Sequence, residues 1–139
     1  MDVLVLIGRV LFAALFLGSA FAHMTQSRAM AAYASSRGVL APVPAVFGSG
    51  VLLLAGGLSV LLGIWPDLGA LLLVVFLVPT ALLMHGFWKE TDAQARQMEM
   101  VQFQKDLALA GAALMLFGFI ARTGSDLGLT VTGPLFDLR

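Results

Sequence analysis

Five ionisable side chains stand inside or at the edge of long apolar runs in this sequence: Arg9, His23, His85, Lys105 and Asp106. An ionisable group in such a run is costly to bury and often belongs to a ligand, ion or proton site. An imidazole can ligate haem or a metal, relay a proton, or hydrogen-bond a quinone carbonyl. The arginine can bind an anionic or quinone-like ligand, and the adjacent lysine and aspartate can form a buried ion pair. These residues are therefore the candidates for chemistry.

Each candidate also has a purely structural interpretation. Arg9 lies about two turns from the start of its run, so it can snorkel to a lipid headgroup or pair with Asp2, Asp67 or Asp126. The histidines fall where apolar runs end, which suits hydrogen bonds at a membrane interface better than a haem site deep in a bundle. Asp106 suits a helix N-terminus, where the helix dipole favours negative charge. No further metal ligands cluster with the histidines, so no metal site is predicted.

Composition places these residues in a membrane. Of 139 residues, 60% are hydrophobic and 12% are charged, whereas a soluble domain carries roughly a quarter charged residues. A spanning helix needs about 20 mostly apolar residues, and the chain has room for four. The formal net charge of zero argues against a basic nucleic-acid surface. The lack of cysteine excludes disulfides, thiolate metal sites and dithiol redox chemistry.

The apolar runs predict an all-α, integral membrane four-helix bundle that forms one domain over residues 1–139. The predicted spans are about 3–24, 46–64, 68–85 and 103–120. The first is interpreted as a retained helix and not a cleaved signal peptide, because Asp2 stands where such a peptide has basic residues. Ala95, Met98 and Val101 recur every three residues between polar neighbours. This spacing predicts a short interfacial amphipathic helix that Thr91 or Asp92 caps and that continues into the fourth span.

Four spans put both chain ends on one side of the membrane and the two long connectors on the other. The first and third spans run in the same direction, so His23 and His85 share one membrane face, and the fourth span begins there with Lys105. The stretch 28–36 in the first connector is either a short interfacial helix or a linker. The connectors carry more basic residues than the chain ends, which predicts cytoplasmic connectors by the positive-inside rule. The residues counted are Arg28, Arg37, Lys89, Arg96 and Lys105 against Arg122 and Arg139, with Arg9 added if it snorkels.

Motifs along nearly the whole chain resemble those of the DoxX family of small four-helix membrane proteins. The matching stretches are "LIGRVLFAALFLGSAFAH", "YASSRGVLAPVPAVFGSG", "LAGGLSVLLGIWPDLGALLL", "ALLMHGFW" and "QKDLALAGAALML". By motif match, the resemblance carries over Arg9, His85 and Lys105 as positions that bind a quinone or a lipid. Two features depart from many relatives, which have a Glu before the double Gly and a Lys near the end of the first helix. This chain has leucines 52–54 and His23 in those regions.

The resemblance implies an accessory or structural subunit of a larger membrane redox or respiratory complex, located near a quinone site in a bacterial inner membrane. Its partners would be membrane lipids and other membrane subunits, with no nucleic acid and no intrinsic cofactor other than a candidate quinone. The resemblance also implies an alternative, the membrane subunit of a quinone-linked oxidoreductase of the thiosulfate:quinone type. A small transporter is a third possibility. No catalytic triad, phosphate loop or paired carboxylates occur in the sequence, so catalysis by this chain alone is not predicted.

Overall fold

The computed structural model describes residues 1–136 and 138, so Arg139, which entered the charge balance above, lies outside the described residues. This part of the chain is all-helical, as predicted. Its helices are α1 (Asp2–Thr25), α2 (Ser27–Ser36), α3 (Pro42–Leu62), α4 (Pro66–Met84) and α5 (Ala93–Thr123), with 3-10 turns at Phe87–Lys89 and Gly124–Asp126. Among the described residues, four helical segments are long and apolar enough to cross a membrane, and they include α1, α3, α4 and α5. The four-helix membrane fold class is thereby confirmed.

The last helix is longer than the apolar span predicted at about 103–120, because α5 begins at Ala93. The Asp92 side chain caps it by accepting a hydrogen bond from the Ala95 amide at 2.8 Å. The amphipathic stretch therefore forms the first turns of α5, and its predicted cap and its continuation into the last span are confirmed. Asp106 consequently lies in the interior of α5, so the explanation of its charge by a helix N-terminus is wrong.

The second span also begins earlier than predicted, at Pro42. The prediction places this proline in the connector, but proline is favoured in the first turn, where its missing N–H costs no helical hydrogen bond. The helix ends at Leu62 and is capped by Gly63, whose φ of 69° lies in the left-handed region that glycine tolerates. Trp65 follows with a φ of 44°, and Pro66 opens α4 at once. A tight turn therefore sets α3 and α4 side by side.

The core lies along the contacts of α1 with α3, α3 with α4, and α4 with α5. Its buried members include Phe16, Leu53, Leu73 and Ala113. Gly56 allows α3 and α4 to approach closely, because a Cβ atom there would lie 2.8 Å from the Leu73 side chain. The double glycine of the sequence thus serves helix packing in this structure.

Arg9 is 2% exposed and ties α1 to the C-terminal end of α3. Its Nε donates to the Val60 carbonyl at 2.8 Å, its Nη2 to the Leu61 carbonyl at 2.7 Å, and its Nη1 to the Leu129 carbonyl at 2.9 Å. The carbonyls at a helix C-terminus have no partner within the helix, so they need such donors. Among the described residues no carboxylate pairs with Arg9. The predicted pairing with Asp2, Asp67 or Asp126 is therefore wrong, and the side chain does not snorkel outward.

The C-terminal tail, residues 127–136, closes the same end of the bundle. The Val131 and Thr132 amides donate to the carbonyls of Leu62 and Gly63 at 3.2 and 3.0 Å. Asp67 is completely buried, and its two oxygens accept the tail amides of residues 135 and 136 at 2.9 and 2.6 Å. Both buried charges at this end thus have backbone partners that hold the tail in place.

Candidate functional site

His23 and His85 line one cavity of about 650 Å³ at the opposite end of the bundle, which we call the histidine end. All five helices contribute to its walls. Most of the lining is apolar and comes from residues such as Phe16, Val46, Leu52, Phe76 and Leu109. The polar lining is formed by Ser19, His23, Tyr33, Ser49, Thr80, His85, Lys105 and Asp106. The cavity is thus amphipathic, with several titratable side chains on an otherwise apolar wall.

His85 links the end of α4 to α5 in the cavity wall. It caps α4, which ends at Met84. Its Nδ1 atom lies 2.7 Å from Oε2 of Glu99, which projects from the first turns of α5. Its Nε2 atom lies 3.8 Å from Oδ2 of Asp106, two turns further along the same helix. A 3.8 Å separation exceeds hydrogen-bond range, so His85 is hydrogen-bonded to Glu99 and only faces Asp106.

Glu99 joins the histidine to a second group of charges near the surface. Its Oε1 atom accepts the Tyr33 hydroxyl at 2.5 Å and Nη2 of Arg37 at 3.0 Å. Arg37 also pairs with Glu90 at 2.6 Å, and its Nη2 donates to the Tyr33 hydroxyl oxygen at 2.7 Å. Three segments distant in sequence, α2, the connector after α4, and α5, are thereby joined.

Tyr33 holds its proton at neutral pH. Burial of the hydroxyl and its hydrogen bond to the Glu99 carboxylate raise the pKa of Tyr33 above its usual value of 10. Burial opposes the charge of Arg37, but its hydrogen bonds with Tyr33 and Glu90 raise the pKa of Arg37 overall. The tyrosine is therefore a fixed donor and the arginine a fixed cation beside Glu99.

The Lys105–Asp106 pair completes the polar wall. Asp106 is 4% exposed, and its Oδ1 atom lies 3.4 Å from Nζ of Lys105. Nζ also donates to the Gln102 side chain at 2.7 Å, and the lysine side chain remains 47% exposed. The lysine can therefore turn its ammonium toward the cavity or toward the aqueous edge.

His23 reaches the cavity from α1. Its Nδ1 atom lies 2.7 Å from Oγ of Ser49 on α3, and its ring meets Phe76 edge-on with centroids 5.8 Å apart. The close approach of α1 and α3 at this point requires Gly50, since a Cβ atom there would lie 2.9 Å from Cβ of His23.

The structure brings together two of the three positions singled out for a ligand. His85 and Lys105 line the same cavity, whereas Arg9 lies near the start of α1. At about 1.5 Å per residue along the helix, Arg9 and His23 are roughly 21 Å apart. Sequence reasoning missed Glu99 as a site residue, although its seven-residue spacing from Asp106 puts both on one face of a helix.

The imidazoles have no further metal-ligand partners nearby: within residues 1–136 and 138 no three His, Cys, Asp or Glu side chains are grouped to hold a metal ion. The polar side chains of the cavity can instead form hydrogen bonds with a ligand and exchange protons with it.

A family model, described as DoxX, matches residues 4–86, which is more than half of the chain. The match spans α1 to α4 and includes both histidines. It ends before α5, so Glu99, Lys105 and Asp106 lie beyond it. Neither a curated protein nor a solved structure matches the chain.

Proposed function

The chain belongs to the DoxX family, and on that premise we propose that it is an accessory membrane subunit of a larger redox complex that binds a quinone in one of its redox states. The cavity at the histidine end carries this proposal. A membrane quinone has a ring with two oxygen atoms and an isoprenoid tail, so its site needs a few polar groups on an apolar wall. His23, His85, Lys105 and Asp106 supply such groups.

The size of the cavity also suits a ring of this kind. Pockets for small ligands measure about 300–1,000 Å³ and are mostly apolar, with a few placed polar groups. The cavity of about 650 Å³ falls within that range. Its apolar wall runs along α1, α3 and α4, parallel to the acyl chains of a bilayer, which suits the tail.

An accessory role is favoured because the chain lacks cysteine and its described residues contain no metal-ligand cluster. Electrons would then come from a redox group in a partner. The outer faces of α1 and α5 offer positions for partner helices. A Cβ atom added at Gly8, Gly18, Gly111 or Gly118 would meet no atom within 4 Å. Small residues on an open helix face allow close helix–helix approach in a membrane.

Ligand binding is testable with the two tryptophans, which lie at opposite ends of the bundle. Trp88 follows His85 by one short turn, and Trp65 lies in the turn between α3 and α4. We expect a decyl-tailed quinone analogue, oxidised or reduced, to change the fluorescence of Trp88 saturably in a Trp65→Phe variant. The matched Trp88→Phe variant, which retains Trp65, should show no saturable change. His85→Ala should weaken binding at least several-fold, and equal responses at both tryptophans would contradict the proposal.

The accessory role is tested separately in native membranes. Purification of the chain in mild detergent should yield a complex that contains a redox protein, and deletion of the chain should impair that complex. Recovery of a free monomer, together with intact redox complexes in the deletion strain, would refute the role. Reduction of a quinone analogue by the isolated chain with thiosulfate as donor would instead support the alternative enzyme.

A further inference from the structure

The hydrogen bonds of the two cavity histidines determine which ring nitrogen carries the proton. In a neutral imidazole one nitrogen donates and the other accepts, and the partner of one nitrogen fixes the role of the other. Hydrogen positions are assigned through such partners. His23 and His85 both have a partner at Nδ1, so the state of each Nε2 can be derived.

For His85 the partner is the Glu99 carboxylate. Oε1 of Glu99 accepts from Tyr33 and Arg37, and Oε2 lies 2.7 Å from Nδ1 of His85. A carboxylate paired with an arginine is only an acceptor. Nδ1 of His85 must therefore carry the hydrogen, which leaves a lone pair on Nε2 of the neutral ring.

For His23 the partner is the Ser49 hydroxyl. That hydroxyl has one hydrogen and donates it to the Val46 carbonyl at 2.7 Å. It can therefore only accept at its 2.7 Å contact with Nδ1 of His23. The hydrogen again lies on Nδ1, and Nε2 of His23 is also an acceptor.

Among the described residues, neither Nε2 atom makes a hydrogen bond, whereas every fully buried side-chain nitrogen or oxygen there has a partner. Both atoms are therefore accessible, and both residues line the cavity. Asp106, also in the wall, adds a carboxylate 3.8 Å from Nε2 of His85. Lys105 is the only cationic donor among the described lining residues.

We infer that the cavity recognises its ligand through hydroxyl donors and so prefers the dihydroxy, quinol state of a quinone couple to the dicarbonyl state. In the neutral rings, the two Nε2 atoms and the Asp106 carboxylate are acceptors that a quinol hydroxyl satisfies. A quinone carbonyl, itself an acceptor, is repelled by all three. This inference rests on the proposed function, because it specifies the redox state of that ligand.

The tautomers can be measured without any ligand. The chain has two histidines, so the full protein labelled with ¹⁵N-histidine gives two ring systems. At about pH 9, where a free imidazole is neutral, we expect both rings to carry hydrogen on Nδ1. Hydrogen on Nε2 of His85 would overturn the inference and leave the proposed function untouched.

Ligand preference is tested by binding of 2-decyl-1,4-dihydroxybenzene, the corresponding quinone, and the dimethyl ether of the diol. Two hydrogen bonds, each of modest net strength, should make the diol bind roughly tenfold more tightly than the other two. Tighter binding of the quinone would overturn the inference but would still agree with the proposed quinone site. Failure of all three to bind would refute the proposed function as well.

Glu99→Gln offers a sharper test. Arg37 and Tyr33 would still donate to the amide oxygen, so the amide NH₂ would face His85 and donate to Nδ1. The ring would then carry its hydrogen on Nε2, and the preference should shift toward the quinone by about tenfold. Glu90→Gln is the matched control, because it removes the same charge beside Arg37 but makes no contact with His85. An unchanged preference in Glu99→Gln, or the same shift in both variants, would overturn the inference.

Discussion

Replacement of Arg9 by methionine should destabilise the end of the bundle that the C-terminal tail closes, without a change in ligand affinity at the histidine end. Methionine keeps most of the apolar volume but removes all three donors. The carbonyls of Val60, Leu61 and Leu129 then lose their partner. Because Arg9 is 2% exposed, lipid headgroups and water cannot replace those donors without a structural rearrangement.

The magnitude follows from the three hydrogen bonds. Side-chain hydrogen bonds in membrane bundles average about 0.6 kcal/mol, which gives a lower estimate of about 2 kcal/mol. Hydrogen bonds from a charged donor reach about 1.5 kcal/mol or more, which gives an upper estimate of about 4–5 kcal/mol. Arg9→Lys keeps the charge on a single nitrogen that cannot reach all three carbonyls in the same geometry. The stability loss in Arg9→Lys should therefore be about half of that in Arg9→Met.

The assay is reversible unfolding in mixed micelles, followed by the fluorescence of Trp65, whose amide donates to Thr132 of the tail at 2.9 Å. Arg122→Met serves as control, since it makes the same substitution at an exposed arginine near the same end. A free energy of unfolding within about 0.5 kcal/mol of the wild type, a typical surface effect, would refute the reasoning. Loss of ligand affinity with no loss of stability would return Arg9 to the ligand-binding role that the motif match suggests.

Three further predictions follow from the same contacts. In Asp67→Asn, a single side-chain oxygen remains for the two tail amides that the aspartate binds. The free energy of unfolding should fall by about 1–2 kcal/mol, and a protease should cut the tail faster. An unchanged cleavage rate would contradict this prediction. Tyr33 is the single tyrosine, so the rise of tyrosinate absorbance with pH reports the pKa of this residue alone. The midpoint should exceed about 10. Glu99→Gln should lower the midpoint toward 10 but not to it, because burial is the larger cause of the raised pKa. The contribution of the protonated tyrosine to stability is present below its ordinary pKa and is lost as the pH rises through the raised one. Cysteines placed at Ser36 and Asp126 in the cysteine-free chain should react with impermeant reagents from opposite sides of the membrane, and labelling of both from one side would disprove the topology.

Hydrophobicity was sufficient to predict the helices but not all their ends. Runs of about 20 apolar residues predict spans because this length crosses the hydrocarbon core of a bilayer. The spans must be helical because the hydrocarbon core offers no partners for unpaired backbone groups. The apolar span is predicted to begin only near residue 103 because residues 93–102 are polar, but the predicted amphipathic helix already covers them and runs on into that span. These residues are mostly good helix formers behind an Asp92 cap, so the helix continues without a break.

The candidate site was predicted only in part, for a similar reason. The shared face of His23 and His85 follows from the direction of the first and third spans. The role of Glu99 depends on how α2 folds back over the bundle to bring Tyr33 and Arg37 against α5, and no local pattern encodes that contact. The partners of Arg9 are backbone carbonyls, which every residue has, so the sequence offers no signal for them.

The two ends of the bundle use their polar side chains in different ways. Arg9 and Asp67 direct their polar atoms at backbone groups of α3 and the tail, so they fix the structure and leave little bonding capacity for a ligand. At the histidine end, Glu99 occupies one nitrogen of His85, and Ser49 occupies one nitrogen of His23. The other nitrogen of each ring stays open to a cavity that all five helices line. An accessible polar atom that the protein leaves unpaired can form a hydrogen bond with a ligand without breaking one within the protein. This difference between the two ends supports the proposed ligand site at the histidine end.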